Sequence, residues 1–416
     1  MSTRSIRQIV KVMKSGRHIF ACLSIALMLF LITDSYTMAQ QAPVRPARPP
    51  FPMGNRVVSP EILPDNRVTF RIEAKQASEV AISGEWMGMG ASEKMTKNDA
   101  GMWSITLSLA PEFYGYTFKV DGVTVLDPSN AQINRDGSRS SSVLLVPGKE
   151  SELYAINKVP HGTLSKVWYD SPTLGLTRRM YVYTPPGYES STERYPVLYL
   201  LHGGGGDEDA WTTLGRANYI LDNLIAQGKA KPMLVIMTNG NPGQAAAPGS
   251  APVVERVQTP PSQGGIGEMA SGKFEESIVK DVIPFIEGHY RVLTGRENRA
   301  LSGLSMGGMQ TMTTTQNYPG MFDYIGVMSM GLVDRNAMGL KGNDNLDAKL
   351  DALRDSGFKL YWVGVGKDDF GYEGVTNLRK KLDEHNFKYV YRETTGGHTW
   401  ANWRIYLSEV ATLFFK

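Results

Sequence analysis

From about residue 163 to its end the chain alternates between short apolar runs and stretches with helical spacing. Runs of strand length lie at 195–201, 232–238, 299–302, 324–329, 359–365 and 388–393. Between them, 217–226, 274–287, 347–353 and 375–384 place apolar residues at helical intervals. Parallel strands need long crossovers, usually helices, and strands covered on both faces read as continuous apolar runs. The alternation therefore predicts an α/β fold around a mostly parallel sheet. One stretch breaks the order. Residues 241–272 are rich in Gly, Pro, Ala, Ser and Gln, and a loop of that length inside a compact domain is expected to be a functional lid or a disordered insert.

The chain ahead of this region reads differently. Residues 67–72, 80–82, 103–107 and 114–120 alternate with period two and are separated by Pro64-Asp65-Asn66, Asn98-Asp99-Ala100-Gly101 and Asp121-Gly122. Short strands between turn signals predict a small all-β sandwich over 57–147. Residues 148–162 carry few periodic signals and read as a linker, as does the Pro-rich segment 40–56.

Residues 1–39 have the layout of a secretory signal: a basic stretch with Arg4, Arg7, Lys11, Lys14 and Arg17, an apolar run over 19–32, then Thr37-Met38-Ala39. The run, roughly 14 residues, is short of a membrane span. Export to the periplasm or medium is the expectation, with no stable membrane insertion after cleavage. The whole chain carries +3. The leader holds five cations against Asp34, so the remainder carries about −1, and nothing points to nucleic acid. The one cysteine, Cys22, lies in the apolar run. This removes disulfides, thiolate metal sites and cysteine nucleophiles from the mature protein.

Three motifs carry chemistry. Gly303-Leu304-Ser305-Met306-Gly307 follows an apolar strand-like run and precedes a helical stretch, the setting of a nucleophile elbow, in which a serine sits on a strained strand-to-helix turn. His202-Gly203-Gly204-Gly205-Gly206 leaves another strand. Such loops let backbone N–H groups face a substrate, and the N–H groups of Gly204 and Met306 are the expected oxyanion donors. The third motif is Gly396-Gly397-His398 after the last strand. The order serine, acid, histidine needs a late histidine, and His398 meets it. His161, His202 and His289 precede the serine, and His385 ends an apparent surface helix. His202 is expected to organise its loop. The acid should leave the penultimate strand in Gly366-Lys367-Asp368-Asp369-Phe370. Asp369 is preferred over Asp368, with Glu373 behind both. No metal or organic cofactor is required for such a triad. Trp211, Phe370, Tyr372, Trp400 and Trp403 lie near these motifs and are candidates to line an acyl pocket.

The segment 163–416 resembles carbohydrate esterase family 1, the esterase D-like feruloyl and acetylxylan esterases. The resemblance rests on Tyr195 through Asp207 with Trp211, on Phe274-Glu275 with 281–286, on Gly303 through Gly308, and on Gly397-His398 with Trp403. It implies an α/β-hydrolase fold, Asp369 as the acid of a Gly-x-x-Asp loop, and Gly204 as an oxyanion donor. The β-rich segment is similar to the early-set, immunoglobulin-like carbohydrate-binding family 48, through Val80 to Trp86, Gly101-Met102-Trp103 and Tyr114 to Gly122. Where glycan-binding members carry an Asn-x-Trp-like element, this chain reads Trp86-Met87-Gly88-Met89, which argues against starch-like glycans. Trp86 and Trp103 read as packing residues before sugar platforms. Together the resemblances imply a serine esterase acting on feruloylated or acetylated xylan, with ferulate preferred over acetate. An acyltransferase onto sugars and a glycan-binding protein with an inactive hydrolase half are the competing readings.

Overall fold

The computed structural model describes residues 57–88, 90–251, 271–332 and 345–416. The leader over 1–39, the Pro-rich segment 40–56, Met89 and most of the 241–272 loop lie outside the described residues. Among the described residues no helix is long and apolar enough to cross a membrane.

The front of the chain forms ten strands: β1 (Glu61–Ile62), β2 (Arg67–Glu73), β3 (Val80–Gly84), β4 (Glu93–Lys94), β5 (Thr96–Lys97), β6 (Met102–Ser108), β7 (Phe113–Val120), β8 (Val123–Val125), β9 (Ile133–Asp136) and β10 (Arg139–Leu145). They pair antiparallel in two sheets, β1-β2-β6-β5 and β4-β3-β7-β10-β9, with β8 on β7. The period-two pattern has its expected result. Val68, Phe70 and Ile72 from one sheet meet Val80, Ile82, Tyr116, Phe118 and Leu144 from the other in a single core. Trp103 is buried there, donating its indole N–H to the Ala74 carbonyl at 3.0 Å. Trp86 is partly buried against Phe70, Tyr114 and Tyr116.

The rest is built on one eight-stranded sheet: β11 (Thr163–Ser171), β12 (Leu176–Thr184), β13 (Val197–Leu201), β14 (Leu234–Thr238), β15 (Arg299–Leu304), β16 (Tyr324–Met328), β17 (Leu360–Gly366) and β18 (Val390–Thr394), in the order β11-β12-β14-β13-β15-β16-β17-β18. Only β12 runs against the others. The apolar runs become strands buried along their whole length, as in β13, β14 and β16.

Helices cover the sheet: α1 (Ala210–Thr213), α2 (Ala217–Ala226), α3 (Lys273–Ser277), α4 (Ile283–His289), α5 (Met306–Asn317), α6 (Leu346–Asp355), α7 (Tyr372–Glu384) and α8 (Trp400–Val410). A π turn, Ile278–Val282, joins α3 to α4. The covering helices follow the amphipathic rule. α7 buries Val375, Leu378 and Leu382 and leaves its charged residues outside. Additional to the runs read from the sequence are the β11–β12 hairpin at the sheet edge, α1 and α8.

The front strands do not stop at their own core. Phe113 of β7 and Val143 of β10 belong to one apolar cluster with Leu198, Trp211, Tyr406 and Phe414 of the sheet region. Between the two parts, Ser151–Tyr154 makes one 3-10 turn with Tyr154 buried in the same cluster. Arg404 of α8 is buried and spans the junction. Its guanidinium donates to the Leu214 carbonyl at 2.6 Å, to Glu112 Oε1 at 3.0 Å and to the Phe113 carbonyl at 3.0 Å.

Candidate active site

Ser305 joins β15 to α5 with φ 51° and ψ −116°. A non-glycine residue at positive φ is strained and held by its surroundings. Here the Ser305 N–H donates to the Met328 carbonyl at 2.9 Å. Gly307 is what lets the turn close. A Cβ at that position would lie 2.6 Å from the Leu201 and His202 carbonyl oxygens, so any side chain would push α5 off the end of β13. Met306 and its neighbours open α5, where the first N–H groups have no partner within the helix, and the positive end of the helix faces the serine.

His398 follows β18 and stands over the same place. Its Nδ1 lies 2.9 and 3.1 Å from the two carboxylate oxygens of Asp369. Asp369 is only 4% exposed. Burial works against its charge, but hydrogen bonds from His398, the Ser329 hydroxyl and the Gly371 N–H (2.8 Å) outweigh it and hold the carboxyl below its usual range. An ionised Asp369 keeps the ring proton on Nδ1, which leaves the Nε2 lone pair free. Nε2 has no protein hydrogen-bond partner among the described residues. Ser305 and His398 line one cavity of about 100 Å³ together with Gly203, Gly204, Gly206, Ala210, Leu304, Trp400, Trp403 and Asp136. They share it without a direct hydrogen bond. Such bonds are often long before substrate binds and tighten in the reacting complex.

Gly204 presents its backbone to this cavity. A Cβ there would meet nothing within 4 Å, and its N–H has no protein partner among the described residues. His202, one turn back, is 1% exposed and spoken for on both nitrogens. The Gly240 N–H donates to Nε2 at 2.7 Å, so the ring proton sits on Nδ1, which lies 2.7 Å from the Gly203 carbonyl. Burial lowers its pKa and keeps it neutral. With no free lone pair it cannot take a proton from Ser305; it ties the glycine loop to the start of the 241–272 segment. Gln310 adds a bond to the Gly240 carbonyl at 2.8 Å, and the Arg178 guanidinium reaches the Asn239 and Asn241 carbonyls at 2.7 and 2.8 Å.

The candidate aromatic residues separate into wall and support. Trp400 and Trp403 line the cavity. Trp403 stands edge-on to His398 at 4.9 Å between ring centres and donates its indole N–H to the Ser329 Oγ at 2.9 Å. Phe370 is 81% exposed, its ring 4.1 Å from that of His398. Trp211 is 1% exposed, bonds the Leu201 carbonyl at 2.9 Å and braces Trp400 from behind, so it does not face the cavity. Tyr372 is engaged with Glu393 at 2.8 Å, away from the cavity wall. Of the other acids, Asp368 accepts the Gly396 N–H at 3.2 Å and shapes the histidine loop without touching the imidazole. His161 and His385 pair with Asp222 and with Asp347 and Asp351. Two residues of the site escaped the sequence reading: Ser329, at φ 52° just past β16, and Asp136, from the front strands. A serine ending a fully buried strand beside the elbow strand was the available signal for the first.

A strained serine, an imidazole oriented by a buried carboxylate, and a free backbone donor in one cavity form an arrangement suited to acyl transfer. The model of the Esterase family matches residues 171–413. The chain belongs to the Esterase family. This esterase is 31% identical over 367 residues to an endo-1,4-beta-xylanase/feruloyl esterase of Xylanibacter ruminicola, a match covering 86% of this chain and 46% of that protein. It is 24% identical over 265 residues to endo-1,4-beta-xylanase Y of Acetivibrio thermocellus, covering 58% of this chain and 22% of that one. The esterase thus spans less than half the length of these curated relatives. Among solved structures, a ferulic acid esterase from Anaeromyces mucronatus aligns with a TM-score of 0.51 at 24% identity, over 64% of this chain and 95% of that one. The enterobactin esterase of Shigella flexneri aligns at 0.60 and 16% identity, over 84% and 92%. Both show that the esterase has the fold of α/β-hydrolase-type esterases.

Proposed function

We propose that the chain is a serine esterase that removes ferulate from plant cell-wall xylan. The observation that carries the chemistry is the His398–Asp369 couple facing the cavity of a positive-φ Ser305 beside the unpartnered Gly204 N–H. In the proposed reaction His398 Nε2 takes the Ser305 proton as the oxygen attacks the ester carbonyl. The Gly204 and Met306 N–H groups hold the oxyanion; one such donor is worth about 3 kcal/mol in the transition state. The sugar alcohol leaves with the proton from His398, and water then releases the acid by the same path in reverse. Asp369 holds the ring tautomer and stabilises its charged form.

Ferulate is supported by the relatives: a xylanase/feruloyl esterase at 31% identity and ferulic acid esterases among the matching folds. Trp400 and Trp403 on the cavity wall and Phe370 at its rim suit a flat aryl acyl group. One observation favours acetate, the second reading: the cavity is small, about 100 Å³. Methyl ferulate set against acetylated xylan separates the two. Fast release of ferulate supports the first reading; release of acetate alone, with methyl ferulate untouched, overturns it. The same proposal includes export by the 1–39 leader, a family 48-like module over 57–147 joined through 148–162 to an esterase domain over 163–416, and xylan or its oligosaccharides as partner.

A further inference from the structure

The cavity that holds Ser305 has one wall residue that the sheet region does not supply. Asp136 closes β9, more than 160 positions before the serine, and lines the cavity with Gly203, Gly204 and Gly206. The tip of the β9–β10 hairpin is fixed there. Arg135 forms a two-pronged ion pair with Asp207, at 2.5 and 3.0 Å, and reaches Asp209 at 2.5 Å. Asn134 donates to the Thr213 carbonyl at 2.6 Å. Gly137 sits so close to the glycine loop that a Cβ on it would lie 2.4 Å from the Gly205 carbonyl oxygen. These contacts join the hairpin to the segment that carries Gly204, and they leave the Asp136 carboxylate with no hydrogen bond or ion pair among the described residues. Desolvation by the surrounding protein outweighs the pull of Arg139 and, with like charge from Asp207 set against Arg135, pushes its carboxyl up from the usual range. Asp136 is exposed, so the carboxylate that the protein leaves unpaired is open to solvent or to a hydroxyl of a ligand.

We propose that Asp136 is a specificity-determining residue for the esterase, accepting a hydrogen bond from a hydroxyl of the sugar that carries the ester. It is the carbohydrate half that meets it because Asp136 keeps an open face to solvent at the cavity rim. The acyl group enters a cavity of about 100 Å³, whereas a polysaccharide cannot be enclosed and must lie across the rim. A carboxylate accepts from neutral hydroxyls and repels anions, which suits an uncharged pentose and not a uronate. On this reading the β-rich front region is part of the active site, whatever glycan it binds elsewhere.

The inference rests on the serine esterase reading, and the experiment keeps the two apart. The full chain and its Asp136→Ala and Asp136→Asn variants are compared on a feruloylated arabinoxylo-oligosaccharide and on methyl ferulate, which has the same acyl group and no sugar. If the wild type releases only acetate, acetylated xylo-oligosaccharide and 4-nitrophenyl acetate replace the pair. The expected result is that kcat/KM for the sugar ester falls about tenfold more than for the simple ester in Asp136→Ala, from loss of a hydrogen bond to a charged group. Asp136→Asn, which keeps an acceptor oxygen, should lie between. Arg135→Ala, which frees the hairpin, should shift the same ratio in the same direction. Equal losses on both substrates, or no loss on either, overturn the proposal while leaving the esterase reading standing. A wild-type chain inert on all four substrates overturns the esterase reading itself.

Discussion

Two regions of this esterase look alike in one dimension and behave differently in three. Each is a histidine next to a glycine in a loop that follows a strand of the sheet: His202 after β13, His398 after β18. At His202 the backbone claims both ring nitrogens, and burial holds the ring neutral. At His398 one nitrogen faces a carboxylate and the other faces the cavity. The lesson is that a neighbouring glycine says a histidine sits on a tight loop. What the second nitrogen touches says whether it can move a proton.

The comparison breaks most readily by substitution. Ser305→Ala and His398→Ala should each lower kcat by on the order of 10⁶-fold and Asp369→Asn by on the order of 10⁴-fold, with folding retained, as in other serine triads. Steady-state kinetics on the preferred ester, with circular dichroism as the folding control, checks this. A His398→Ala enzyme keeping a tenth of its activity would falsify the assignment. His202→Ala should act on stability. It leaves the Gly240 N–H and the Gly203 carbonyl unpaired in the interior, costing about 3 kcal/mol by denaturant titration; full stability in that variant would mean the loop is held elsewhere.

The smallest effect sharpens the contrast by pH. A histidine whose folded pKa is lowered favours the neutral form, so its contribution is complete above the unfolded value, about 6.5, and fades as pH falls below it. Asp369, with its pKa lowered, behaves as acids do: its contribution is present above the ordinary carboxylate range and is lost as pH drops through its folded pKa. Unfolding free energies between pH 7 and pH 5 should therefore decline with a slope that His202→Gln reduces and Asp369→Asn does not.

The parts of the site that were legible share one property: their signal is local. The elbow, the glycine loop and the histidine loop are each written in a few consecutive residues, and the apolar runs between them set the sheet. Asp369 was preferred over Asp368 with the help of the family resemblance, since both leave the same strand; in the structure it is the Asp369 carboxyl that is buried against His398. β12 went unread because Arg178 and Arg179 interrupt its apolar pattern, although both are buried, one capturing loop carbonyls and the other paired with Glu208 at 2.8 Å. Trp211 read as a pocket residue because it lies next to the glycine loop in sequence; α1 turns it inward. Asp136 had no signal at all, since its place in the cavity follows from how two regions dock.

That docking has a practical outcome. Phe113 and Val143 lie in the same apolar cluster as Trp211 and Tyr406, and burial of each is worth roughly 1.5–3 kcal/mol. Arg404, buried across the seam, sits four residues past Trp400 on the helix that follows the histidine loop. The two halves should therefore melt in a single transition, and a fragment starting at residue 163 would bare a greasy face and an orphaned guanidinium. Anyone wishing to graft this catalyst onto another carrier must move both halves as one inseparable block.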